Sequence, residues 1–118
     1  MPKAKATTPE DFTPACAAEI ALRALGGRWK MGLLLSLGGG GPRGFNTLLA
    51  ETPGVTRRVL AAQLSALERD GLVARSVVSE KPLRVSYALT GYGTDAMPIV
   101  RRMSAWGERH FHRAQPAD

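Results

Sequence analysis

The chain contains a single cysteine, Cys16, which excludes an internal disulfide framework. No apolar run approaches the roughly 20 residues that a membrane-spanning helix needs. The N-terminal stretch also lacks the apolar core of a secretory signal, because Glu10, Asp11 and Glu19 interrupt it. We therefore expect a cytoplasmic protein that does not cross a membrane.

Residues that could form an enzyme site are also scarce. The two histidines, His110 and His112, lie two apart on a predicted helix, so they point to different faces and do not form a chelating pair. The glycines at 38–41 lack the Lys-Ser/Thr of a phosphate-binding loop. No general base neighbours Cys16, and no pair of carboxylates stands in an apolar setting. We predict that the protein is not an enzyme and uses neither a metal nor an organic cofactor.

Acidic residues are outnumbered by basic ones. The 118 residues include 16 Lys and Arg against 10 Asp and Glu, which gives a net charge of +6. A chain of this length forms one domain with a modest core. A small basic domain indicates a polyanionic partner, most often nucleic acid, although some basic domains are only kept soluble by their charge.

The segment at 56–71 predicts the helix on which the rest of the domain depends. Leu60, Leu64 and Leu67 recur at the spacing of a buried helical stripe, with Thr56 as N-cap and Gly71 as the left-handed residue after the helix. The opposite face carries two arginines and otherwise small residues, namely Arg58, Ala62, Ser65 and Arg69. This face and Arg57 in the first turn suit a recognition helix on DNA; a solvated helix face is the alternative.

Three shorter helices are predicted before this one. Residues 15–25 carry an apolar face that includes Cys16 and Ile20, and residues 29–37 form a helix that is apolar around much of its circumference. The glycines at 38–41 predict a loop. A short helix with Asn46 as its cap then leads through the Pro53-Gly54 turn into the 56–71 helix, an arrangement typical of a helix-turn-helix.

A β-hairpin follows directly. Residues 72–78 are rich in β-branched side chains, residues 79–82 predict a turn, and residues 84–89 alternate between apolar and polar positions. Lys81 and Arg84 place positive charge where such a hairpin, the wing of a winged helix, would meet phosphates or the minor groove. The predicted fold is mainly α with a small β-hairpin (α+β), a winged helix-turn-helix.

The last predicted helix, capped by Thr90, has an apolar stripe that the small domain does not need for its own core. We expect Pro98 to kink this helix or delay its start. The stripe needs a partner, which is either the first helix of the same chain or a second copy; we favour a homodimer. The residues expected at this interface are Ile20, Val100, Met103, Trp106, His110 and Phe111.

Taken together, these segments resemble the HxlR-type winged-helix transcriptional regulators, and the likeness runs from about Cys16 to His110. The matching pieces are Leu25-Gly26-Gly27-Arg28-Trp29 ("GGKW"), Gly41-Pro42-Arg43-Gly44-Phe45-Asn46 with Leu48 ("GPxRFxEL"), Val55-Thr56-Arg57-Arg58-Val59-Leu60 ("ISxRxL"), Leu67-Glu68-Arg69-Asp70-Gly71-Leu72-Val73 ("LEexGLV") and Val85-Ser86-Tyr87-Ala88-Leu89-Thr90 ("VEYxLT"). The resemblance implies a homodimeric regulator that is built from the first and last helices and is more often a repressor, and that binds double-stranded operator DNA; a winged helix used only for protein–protein contact is the alternative. Ala61 replaces a polar residue common in the family, so the operator sequence does not carry over.

The resemblance also bears on Cys16. Some members of the family sense oxidants or electrophiles through the cysteine at this position, and a helix N-terminus that lowers the thiol pKa would favour that chemistry here, with Arg23 or Arg28 nearby. The alternative is a small buried residue at the dimer contact. We divide the chain into a flexible arm at residues 1–13, the winged helix-turn-helix domain at residues 14–113 and a flexible tail at residues 114–118.

Overall fold

The computed structural model describes residues 11–115, in which five helices pack against a small three-stranded antiparallel sheet. Much of the predicted N-terminal arm and tail therefore lies outside the described residues. The elements, in chain order, are α1 (Pro14–Leu25), α2 (Lys30–Gly40), β1 (Arg43–Gly44), α3 (Phe45–Glu51), α4 (Arg57–Arg69), β2 (Val73–Glu80), β3 (Leu83–Leu89) and α5 (Gly91–Ala114). This order is the predicted winged helix-turn-helix, with α3 and α4 as its two helices.

The core is formed chiefly by leucines from the three central helices. Leu60, Leu64 and Leu67 of α4 are buried, which confirms the stripe predicted from their spacing. They pack with Leu48 of α3 and with buried side chains from the other elements. These are Leu33, Leu34 and Leu37 of α2, Leu72, Val73 of β2, Tyr87 of β3, and Met97 and Val100 of α5.

The prediction of a loop at residues 38–41 is wrong for its first three glycines, because α2 continues to Gly40. At Gly38, a Cβ would lie 2.7 Å from the terminal carbon of Met97, so glycine lets α5 pack directly against α2. Gly40 lies under Arg43, whose guanidinium donates to the Gly40 carbonyl at 3.4 Å. Gly41, with φ of +80°, then ends the helix.

Of the three helix N-caps predicted from the sequence, two are confirmed. The Thr56 hydroxyl accepts from the backbone N–H of Val59 at 3.1 Å, and the Thr90 hydroxyl accepts from that of Gly93 at 2.9 Å. Asn46 is not the cap of α3, which begins one residue earlier with Gly44 at the N-cap. The Asn46 side chain makes no capping hydrogen bond and instead accepts a hydrogen bond from Arg57 of α4.

The sheet has the order β1-β3-β2, so the predicted hairpin gains a third strand at one edge. In the hairpin, Val73 lies opposite Leu89 and Val77 opposite Val85, while β1 pairs through Arg43 opposite Tyr87. The two-residue strand β1 lies immediately before α3 and attaches the N-terminus of that helix to the wing. The sheet thereby fixes the wing beside the helix-turn-helix.

Helix α5 starts at Gly91 and contains Pro98 within it, so Pro98 does not delay its start, and the alternative of a kink stays a prediction. Val100 also differs from the prediction, because its side chain is fully buried in the chain's own core and cannot belong to a dimer surface. An apolar stripe does not by itself distinguish positions that face the helix's own domain from positions that face a partner.

One residue connects the end of α4 with the start of α5. The Thr90 hydroxyl donates to the Gly71 carbonyl at 2.6 Å, and the Thr90 backbone N–H donates to the Leu72 carbonyl at 3.1 Å. Gly93, in the first turn of α5, is buried directly against that same Leu72 carbonyl. We call this set of contacts the Thr90 junction.

Candidate DNA-binding surface

Helix α4 presents its polar side to solvent, as its sequence predicts. Arg58, Ala62, Ser65 and Arg69 are all exposed and form what we call the outer face of α4. Arg58 makes no hydrogen bond or ion pair with any residue of the described chain, so its guanidinium is available to a ligand. Because Ala62 and Ser65 are small, the helix backbone between the two arginines can approach a surface closely.

Arg57 is held differently from its neighbour. Its Nη2 donates to Asn46 Oδ1 at 3.1 Å, and its Cζ lies 5.9 Å from the centroid of the Phe45 ring. The side chain therefore reaches back from the first turn of α4 towards α3. Although they are adjacent in the sequence, Arg57 and Arg58 therefore have different surroundings.

A groove of about 830 Å³ runs between the start of α3 and the hairpin, and we call it the wing groove. Arg57 of α4 and Arg84 of β3 both line this groove, as do Thr47 and Ser86. None of the lining residues is acidic. The structure therefore brings two of the predicted basic residues together in a groove without a counter-charge.

The other predicted basic residues lie apart from this groove. Lys81 is exposed at the tip of the hairpin, where the Ser79 hydroxyl donates to the Pro82 carbonyl at 2.9 Å and closes the turn. Arg69 lies twelve residues after Arg57, about 18 Å along α4, and borders a different groove beside α1. Arg69 is thus at the far edge of any surface centred on Arg57 and Arg58.

A second exposed surface is apolar. Ile20 of α1 and Met103, Trp106 and Phe111 of α5 are all substantially exposed, and His110 stacks on Trp106 with ring centroids 5.0 Å apart. A groove of about 870 Å³ separates α1 from α4 and α5. We call these side chains the apolar face of α1 and α5; of the six predicted interface positions, only Val100 is not part of it.

Cys16 occupies the first turn of α1 and is half-buried. The Thr13 hydroxyl caps this helix by accepting from the Cys16 N–H at 3.1 Å, and it lies 3.3 Å from Cys16 Sγ as a donor. Hydrogen bonds to the thiol from the Thr13 side chain and from the Thr13 backbone hold the pKa of Cys16 below its usual value, against the opposing effects of partial burial and of the Glu19 and Asp11 carboxylates. Arg28, expected near the thiol, instead lies over the Trp29 ring at 4.5 Å.

Thr13 and Asn46 contribute to these sites in roles that the sequence did not predict, for different reasons. Thr13 followed by Pro14 is a recognisable helix start, so its capping role could have been found. Asn46 lies eleven residues before Arg57, and no sequence period connects the two. In residues 11–115, no three His, Cys, Asp or Glu side chains are grouped so that they could hold a metal ion, and no helix there is long and apolar enough to span a bilayer.

Comparison with known proteins agrees with this geometry. The family model of the HxlR-like helix-turn-helix matches residues 24–115. The HTH-type transcriptional regulator YdeP of Bacillus subtilis is 39% identical over 104 residues, which cover 88% of this chain and 80% of YdeP. The structure of the redox regulator HypR in its oxidised form superimposes with a TM-score of 0.73 at 39% identity, covering 80% of this chain and 96% of HypR. The reduced form of YodB from B. subtilis gives 0.66 at 31% identity, covering 91% and 99%. With the helix-turn-helix, the wing and the match over most of its length, the chain belongs to the HxlR-like helix-turn-helix family of transcriptional regulators.

Proposed function

We propose that the protein is a sequence-specific DNA-binding repressor that acts as a homodimer on a palindromic operator. The observation that carries this proposal is the outer face of α4, which is exposed, uncovered by any other element and free of long apolar side chains. At about 20 Å long, α4 fits the major groove, where its N-terminal residues would meet base edges.

In this arrangement the outer face of α4 supplies the specificity. Arg58 is suited to a guanine edge, because its unengaged guanidinium can donate two parallel hydrogen bonds to O6 and N7. Thr56, Ala62 and Ser65 would contact the groove wall or the backbone, and Arg69 would reach a phosphate at the edge. Lys81 and Arg84 would hold the wing to the flanking backbone or minor groove.

The homodimer is supported by the apolar face of α1 and α5. Several large apolar side chains there are about half exposed, including Ile20 at 48% and Phe111 at 59%. The described chain is also less compact than a domain of its length, with a radius of gyration of 16.6 Å against about 13 Å expected. A second copy would cover the face through the same residues on both chains. Two-fold symmetry would then place two α4 helices on one palindrome.

We further propose that oxidants or electrophiles control DNA binding through Cys16. The relatives include HypR, described as a redox regulator, and YodB, whose structure has also been determined after diamide treatment. A thiol with a lowered pKa is more readily the attacking thiolate. Diamide accepts two electrons and two protons as two thiols join. Because Cys16 is the single cysteine, its partner thiol must come from a second copy or a small thiol.

A salt series tests the proposed function. Binding is measured to the DNA upstream of the protein's own gene and to a random duplex of equal length. Affinity for the upstream DNA should exceed that for the random duplex and fall steeply as salt rises, because phosphate contacts release counterions. Binding that is absent or independent of salt would contradict DNA recognition and favour a protein–protein interaction domain.

A further inference from the structure

The wing groove contains an arginine whose position is fixed before any ligand arrives. Arg57 donates to the Asn46 amide oxygen at 3.1 Å, and its Cζ lies 5.9 Å from the centroid of the Phe45 ring. Both partners belong to α3, so the guanidinium is tied to a helix other than its own. One of its five N–H donors is engaged by Asn46, and the others stay available.

The surroundings of Arg57 match a phosphodiester better than a base edge. Arg84, Thr47 and Ser86 line the same groove as Arg57, and no acidic residue among the lining residues competes for the two guanidinium groups. A guanidinium binds phosphate oxygens through parallel N–H bonds, and hydroxyls serve as additional donors to the same oxygens. The groove also lies beside α4, where the backbone of one DNA strand would leave the major groove.

Arg58 provides the contrast on the same turn of helix. It is exposed on the outer face of α4, and no residue of the described chain restrains its guanidinium. Adjacent arginines of one helix therefore have different orientations and different degrees of preorganisation. A restrained cation lowers the entropy lost when a fixed backbone position is bound, while an unrestrained one can adjust to a base edge.

We infer that Asn46 is a positioning residue that assigns Arg57 to a backbone phosphate of the DNA strand in the wing groove, which Arg84 also lines, and leaves base reading to Arg58. This inference rests on the proposed DNA-binding function and resolves which of the two adjacent arginines reads sequence. Asn46 itself does not need to touch DNA. Its effect passes through Arg57, which makes the assignment testable by coupling.

The experiment is a double-mutant cycle on DNA affinity. Asn46→Ala, Arg57→Ala, Arg58→Ala and the two double variants containing Asn46→Ala are titrated over a salt series with the duplex from upstream of the protein's own gene and with a random duplex of equal length. Asn46 is exposed, so its truncation leaves the core intact, and a thermal melt of each variant verifies the fold. The cycle with Arg58 is the matched control, because Arg58 has no contact with Asn46.

Asn46→Ala should weaken binding about two- to tenfold on both duplexes alike, the cost of ordering one released side chain. The loss should vanish in the Arg57→Ala background and persist in the Arg58→Ala background. Arg57→Ala should lower the salt slope by about 1, and Arg58→Ala should relax preference at one base position. An Asn46→Ala variant without effect, one that adds fully to Arg57→Ala, or an Arg57→Ala variant with altered base preference would overturn the inference. The random duplex keeps the two proposals distinct: wild-type protein that binds both duplexes equally contradicts sequence-specific recognition, while the phosphate assignment is still read from the coupling.

Discussion

Replacing Trp106 by alanine should weaken the homodimer without unfolding the protomer. The side chain is 58% exposed on α5, and its ring stacks on His110 of the same helix. Its removal therefore opens no cavity in the core formed by the central helices. Any large effect must come from surface that a second copy covers.

The expected size follows from the exposed area. A tryptophan side chain presents at most roughly 250 Å², so about 145 Å² of Trp106 is open in the protomer. At about 25 cal/mol per Å², coverage of half this area contributes about 1.8 kcal/mol. The residue occurs twice in a symmetric dimer, so the dissociation free energy should fall by about 3.6 kcal/mol, on the order of several hundredfold in Kd.

Sedimentation equilibrium over a range of protein concentrations measures this Kd. Leu83→Ala is the matched control, since Leu83 is 64% exposed but lies at the tip of the wing, away from α1 and α5. The control should dimerise like the wild-type protein. Equal Kd values for Trp106→Ala and wild type, with helical content unchanged, would refute the assignment of α5 to the interface.

Three further predictions concern the thiol and the fold. Cys16→Ser should retain operator binding but lose any release of DNA by diamide in a gel-shift assay; a variant that still responds would exclude Cys16 as the sensor, and a wild-type protein that does not respond would end the sensor hypothesis. Thr13→Ala removes the side-chain hydrogen bond, the larger of the two that lower the thiol pKa, so the pH profile of Cys16 alkylation by iodoacetamide should move to higher pH and the rate near neutral pH should fall, whereas Thr13→Ser should preserve both. Gly93→Ala should lower the free energy of unfolding by about 1–3 kcal/mol in a urea titration, because its Cβ would overlap the Leu72 carbonyl, while Gly91→Ala, with no atom near its Cβ, should change stability little.

Features that depend on neighbours in the chain could be predicted from the sequence. The stripe of Leu60, Leu64 and Leu67 is a property of helical geometry alone, and it is buried as expected. The caps Thr56 and Thr90 bind N–H groups three residues later, so each carries its own signal. The helix-turn-helix and its wing follow from these local signals in order.

Features that depend on packing between distant parts of the chain could not be predicted from the sequence. Gly38 and Gly40 lie in α2, where Met97 and Arg43 approach them closely, and neither contact is visible from a run of glycines. Val100 shares the spacing of Met103, but only the packed structure shows that it faces its own core. The bond between Asn46 and Arg57 joins two helices across a turn, so it required the fold to be known first.

The Thr90 junction has a mechanical consequence. It joins the end of α4 to the beginning of α5 through one hydroxyl and one N–H, so it sets the direction of the 24-residue helix α5 relative to the 13-residue helix α4. Helix α5 is about 36 Å long. Met97 and Val100 hold the first half of α5 in the core, so α4 and α5 form one rigid unit, and a difference of about ten degrees in the direction of α5 corresponds to about 6 Å at its far end. In the proposed homodimer, the angle at which the two α5 helices cross would therefore set the distance between the two α4 helices.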